Sequence, residues 1–161
     1  MTPPDWVIFQ FHSLSNLHNY IPDIPCESPM NEITYPSPEQ VIAFNHLALA
    51  LVKVKKADRA LLMNRTRLLQ IIEECINHPG DPYDKAVVLL AGIVKKHPFA
   101  SGNRRTAFLV MVDFLWDNNT PCRLQNNPEH ARVLLGIREG FYTPHEIKEW
   151  IQHGKIRPFK R

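Results

Sequence analysis

Two stretches of this chain are apolar on every side. Ala86 to Val94 reads AVVLLAGIV, and Ala107 to Trp116 reads AFLVMVDFLW, interrupted only by Asp113. Helices of that composition have no face to show to water and are buried all round. The pair is therefore expected to form a central helix hairpin, wrapped by more amphipathic helices. Joining the two is HPFASGN, residues 97–103. A bend held at the end of the most buried pair is a place where side chains can be positioned rigidly, as a functional site requires.

The wrapping helices announce themselves through proline. Fourteen prolines would ordinarily argue against a helical protein, yet four follow a capping residue, where the missing N–H costs nothing and the fixed φ suits a first turn. Ser37-Pro38-Glu39-Gln40 opens VIAFNHLALALV, with Gln40 placed to complete a capping box. Asp81-Pro82 opens the first apolar stretch, Asn127-Pro128-Glu129 opens HARVLLGI, and Thr143-Pro144-His145-Glu146 opens IKEWIQ with the same box spacing. A further helix over about Thr66 to Asn77 has Leu68, Leu69, Ile71, Ile72, Cys75 and Ile76 at helical spacing and stops at His78-Pro79-Gly80. The expected fold class is all-α: a compact helical bundle around a buried hairpin, over residues 34–161. Residues 1–33 read as an extension, in which Trp6 to Phe11 has the pattern of a short strand.

The chain of 161 residues is long enough to enclose one real core. Its charge of +3 is too mild and dispersed to give a strong nucleic-acid signal. Cys26, Cys75 and Cys122 are widely spaced and odd in number, which gives no complete disulfide framework and fits a reducing cytoplasm. No stretch reaches the ~18 apolar residues of a membrane span, and the reading is of a cytoplasmic protein.

The bend itself carries chemistry. A helix start offers unpaired N–H groups and the positive end of the macrodipole, an anion site in waiting. Gly102 allows close backbone approach, Asn103 offers side-chain donors, and Arg104 with Arg105 put two cations into the first turn, where uncompensated positive charge costs about 0.3–1 kcal/mol each. A bound polyphosphate reverses that sign; arginines pointing outward to water are the plain alternative. His97, at the exit of the preceding helix, could move a proton near neutral pH, or simply cap carbonyls. Phe99 reads as an anchor of the loop in the core.

In order, His97, Pro98, Phe99, Gly102, Asn103 and Arg105 resemble the signature of the Fic/Doc family, H-P-F-x-[D/E]-G-N-[G/K]-R. By chance such a match arises on the order of once in ten thousand chains of this length. The likeness extends over roughly Ser37 to Ile151, and the all-α arrangement with the motif between two central helices is similar to that family's. It implies that His97 is the general base toward a target hydroxyl, that Asn103 and Arg105 with Ser101, Gly102 and Arg104 form the nucleotide-phosphate site, and that Pro98 and Phe99 are structural. Phe108 stands where AMP-transferring members have a further arginine, and Arg104 where they have glycine; both resemble the Doc (death-on-curing) branch. That branch implies a transferase moving a phosphoryl or nucleotidyl group from ATP or another NTP to a protein hydroxyl. It also implies a translation factor as target, an antitoxin chain as partner, and a toxin-antitoxin role.

One departure is expected to matter. The family's acidic, Mg²⁺-binding position is Ser101 here, a far poorer ligand for a hard cation than a carboxylate, so no side chain of the bend is expected to be a metal ligand. No carboxylate in the neighbouring sequence replaces it, since Asp113 lies two turns into the next helix. A catalytically impaired scaffold that binds nucleotide or a partner protein is therefore the alternative. The family's inhibitory pattern [S/T]-x-x-x-E-[G/N] is not matched: Glu32 is followed by Ile33, and Glu139-Gly140 has Leu135 at the hydroxyl position. Lys53 to Arg65 is the candidate substrate-aligning flap.

Overall fold

The structure, a computed structural model, describes residues 32–51, 58–124 and 127–160. The expected extension strand at Trp6 to Phe11 lies outside the described residues. Six helices follow one another among the described residues: α1 (Pro38–Leu51), α2 (Arg65–Asn77), α3 (Pro82–Lys96), α4 (Asn103–Asp117), α5 (His130–Arg138) and α6 (Pro144–His153). No strand occurs among the described residues; one isolated antiparallel bridge joins Leu62 to Phe99. The fold class is all-α, as the sequence led us to expect.

Local chemistry sets the helix starts. Ser37 Oγ accepts from the Gln40 amide while Gln40 Oε1 accepts from the Ser37 amide. Reciprocal boxes also close at Asp81/Asp84 and Thr143/Glu146, each with proline in the first turn. The fourth proline start differs from expectation. Asn127 Oδ1 accepts from the Glu129 amide at 2.9 Å in a short turn, and α5 begins only at His130. Asn127 bonds two residues ahead, an Asx turn that leads into the helix without capping it.

The hairpin α3/α4 forms the middle of the core. Leu89, Leu90, Ile93, Met111 and Leu115 are fully buried, each worth about 1.5–3 kcal/mol of apolar burial. Burial is not complete along α4, because Trp116 in its last turn is 59 % exposed. Against this pair pack Leu68, Ile71 and Cys75 of α2, Val133 and Ile137 of α5, and Ile147, Trp150 and Ile151 of α6.

Polar clamps fix how the layers meet. Lys85, only 6 % exposed, donates from Nζ to the carbonyls of Cys75, Ile76 and His78 at 3.1, 2.9 and 2.7 Å. One α3 cation thereby satisfies the orphan carbonyls at the end of α2, where the helix dipole is negative. Lys148 of α6 reaches Asp81 and Asp84 at 2.9 Å each, tying the last helix to the start of α3. After α6, Arg157 stacks over Phe141 with its guanidinium carbon 3.7 Å from the ring centroid and pairs with Glu146. Its carbonyl accepts from Tyr142 Oη at 2.9 Å.

Candidate functional site

Helix α3 ends at His97, whose backbone N–H donates to the Ile93 carbonyl at 3.2 Å. His97 takes up a left-handed conformation, φ 48° and ψ 62°, a region that is uncommon for a non-glycine residue and stores strain of order 1–3 kcal/mol. It thus caps α3, but through its backbone, which leaves the ring for other work. The ring is turned inward. Nε2 is buried without a hydrogen-bond partner among the described residues, and Nδ1 lies 3.4 Å from Asn103 Nδ2, long for a hydrogen bond. Burial first, then the positive charges of Arg138 and Arg104, hold the imidazole below its ordinary pKa. At neutral pH it is an uncharged base.

The turn that follows is closed by Asn103. Its Oδ1 accepts from the Phe99 amide at 3.0 Å and its Nδ2 donates to the Phe99 carbonyl at 2.8 Å. Asn103 is buried, so its side chain holds the loop shut and presents the first N–H groups of α4. Phe99 is the expected anchor, buried in the core, and Pro98 is buried beside it with its carbonyl accepting from the amides of Met63 and Asn64.

Gly102 sits at φ 76°, just ahead of α4. A Cβ there would lie 3.0 Å from Leu49 Cδ2 and 3.3 Å from Asn45 Nδ2. Glycine is required twice over, by backbone and by space. Asn45, 1 % exposed on α1, donates to the Ser101 carbonyl and to Thr106 Oγ1, both at 2.9 Å, which fastens the bend to α1.

Arg104 and Arg105 occupy the first turn of α4, both half-buried. Arg105 does not simply face water. It pairs with Asp58 Oδ2 at 3.2 Å, the two side chains being 14 % and 11 % exposed. The neighbouring Arg59 amide lies 3.4 Å from Ser101 Oγ, so the hydroxyl at the motif's second variable position meets this incoming segment. Residues 61–64 continue alongside the bend, with Ala100 N–H donating to the Leu61 carbonyl at 2.9 Å.

The structure therefore gathers His97, Ser101, Gly102, Asn103, Arg104 and Arg105 around one helix start. It also brings one carboxylate to the bend from outside the neighbouring sequence. Asp58, some forty residues upstream, supplies it, and a search of the adjacent sequence could not have found it. Its signal was faint: the sole acid in the basic run KVKKADRA. Arg138 was missed as well, and it reaches His97 electrostatically from the end of α5. Asp113 is far from the bend and half-buried, with burial and then the nearby Asp117 raising its pKa. A hollow of about 490 Å³ lined by Arg123, Glu149, His153 and Lys155 touches none of the motif residues.

A sequence profile of the Fic/DOC family matches residues 30–115, more than half of the chain. The chain belongs to the Fic/DOC family. Fic/DOC proteins transfer nucleotidyl or phosphoryl groups to proteins, and the matched stretch ends within α4 and contains the whole bend. Helices α5 and α6 lie beyond it. No curated protein matches the chain. Among the described residues no helix is long and apolar enough to cross a membrane.

Proposed function

We propose that this chain is a Doc-like transferase that moves the phosphoryl, or a nucleotidyl, group of ATP or another NTP to a hydroxyl of a target protein in the cytoplasm. The carrying observation is His97: an uncharged imidazole, with a buried nitrogen that has no hydrogen-bond partner among the described residues, held beside a helix start that bears two arginines. The phosphates lie against the N–H groups from Gly102 onward with Arg104 and Arg105. These groups stabilise the charge on the transferring group while His97 takes the proton of the attacking hydroxyl. Phe108 supports the Doc branch, because it packs against His130 and Trp150, at 5.7 and 6.5 Å between ring centroids, in place of a further phosphate-reaching arginine. A translation factor as target, and an antitoxin chain that covers the site, belong to this reading. The candidate flap, Lys53 to Arg65, belongs to this reading too: residues 52–57 lie outside the described residues, and residues 61–64 run along the bend.

Ser101 favours a second reading, a scaffold that binds nucleotide or a partner without chemistry, since a neutral hydroxyl stands where the family has its metal carboxylate. Incubation with lysate and α- or γ-labelled ATP tests both. Label in a protein band with the wild type, lost in His97→Ala, supports transfer and tells which group moves. Label gained only with Ser101→Asp establishes the impaired scaffold, and no label in any of the three overturns the enzyme.

A further inference from the structure

Helix α1 is apolar all round. From Val41 to Leu51 it has no Asp, Glu, Lys or Arg, a composition that belongs to a helix covered on every side. The described residues cover one side only. Val41, Asn45, Ala48 and Leu49 are buried, and Asn45 and Leu49 seat this side on the bend. The opposite side, formed by Ala43, His46, Leu47, Ala50 and Leu51, is exposed, Leu47 by 44 % and Leu51 by 61 %. A continuous apolar helix face of this kind marks an interaction surface.

The chain itself has a segment in want of cover. Trp6 to Phe11 reads WVIFQF, and in the alternation of a strand Val7, Phe9 and Phe11 share one face. The 31 residues ahead of the described body are too few to enclose a core of their own. That body begins just ahead of α1: Thr34 is held by Asn118 through two hydrogen bonds of 2.8 and 2.9 Å, and the helix starts at Pro38. Residues 12–31 can span up to ~65 Å at ~3.3 Å each, whereas α1 is only ~20 Å long. The segment can therefore reach every part of the exposed face.

Charge decides between this face and the other large exposed aromatic. Residues 1–31 carry Asp5, Asp23 and Glu27 and no Lys or Arg. Trp116 stands between Asp113 and Asp117, which repel such a segment. The outer face of α1 is uncharged, and Lys53, Lys55 and Lys56 follow it in sequence, opposite in sign to Asp5 beside Trp6. We infer that the outer face of α1 is the docking surface of the chain's own Trp6–Phe11 segment, with Val7, Phe9 and Phe11 lying against Leu47 and Leu51. This contact is independent of the nucleotide reading.

The experiment is methyl NMR on the full chain labelled at Val, Ile and Leu, with Phe9→Ser/Phe11→Ser and Leu47→Ser/Leu51→Ser as double variants. The signals of the buried Leu89 and Leu90 show that each protein is folded. Nuclear Overhauser contacts from Val7 to Leu47 and Leu51 are expected in wild type, within single chains when labelled and unlabelled protein are mixed, and lost in Phe9→Ser/Phe11→Ser. Amide hydrogen exchange is the second readout. Over residues 46–51 it should speed up about tenfold in either double variant, and no further when the two are combined. Contacts made only between chains, with sedimentation showing a dimer, overturn the inference in favour of a second copy. Contacts of Val7 with Val112 beside Trp116, or with no methyl of the body, overturn it too, as does exchange left unchanged by Phe9→Ser/Phe11→Ser.

Discussion

Asn103 and Phe99 exchange both of their available partners: the Phe99 amide donates to Asn103 Oδ1 and Asn103 Nδ2 donates to the Phe99 carbonyl. The side chain expected at the phosphate site thus also shapes the loop around that site. Asn103→Ala leaves two buried backbone groups without partners, so a loss of about 2–4 kcal/mol is expected, read as a lowered urea midpoint. Nucleotide affinity should fall in the folded fraction too, because the first N–H groups of α4 lose their fixed arrangement.

Gly102→Ala separates strain from crowding. The positive φ alone costs about 1 kcal/mol for alanine, and the contact with Leu49 adds to it. Introducing Leu49→Ala together with Gly102→Ala should restore less stability than the crowding term, since Leu49 is itself buried. A double-mutant cycle by chemical denaturation gives both terms.

The imidazole of His97 should titrate below 6.5, its ordinary value. As pH falls through about 6.5 the unfolded chain takes up this proton before the folded protein does, so the folded state loses stability in that window; above it the group contributes nothing. Heteronuclear NMR of the ring measures the shift. Arg138→Ala removes one of the charges that depress the pKa and should move it upward, so that the acid limb of the pH–activity profile lies at higher pH than in the wild type.

Lys85→Met keeps the length and apolar stem of the side chain but deprives three carbonyls at the end of α2 of their donor. We expect a destabilisation of about 2–4 kcal/mol in equilibrium unfolding, with nucleotide affinity per folded molecule unchanged. A change in affinity without loss of stability would contradict the structural role.

Much of this was legible before any coordinates. Apolar runs on every face gave the α3/α4 hairpin, and proline after a capping residue gave three helix starts to the residue. Asn127 misled because its side chain can bond two residues ahead as readily as cap. The bend was visible as a motif, yet the use of each side chain was not. Whether Asn103 turns toward the loop or the ligand depends on where the Phe99 backbone lies, and no local pattern encodes that. Asp58 and Arg138 were invisible for a related reason: charges brought together from 47 and 41 residues away, on separate elements, leave no spacing to read.

The ties from Lys148 to Asp81 and Asp84 bear on how the molecule can be dissected. The stretch recognised as Fic/DOC ends inside α4, but the last helix is riveted to the first turn of α3 and lends Trp150 and Ile151 to the common interior. The recognised portion is therefore no transplantable module. Cut after residue 118, it would carry away the motif with an open flank, and any graft of this site onto another scaffold has to bring the distal helices along as its buttress.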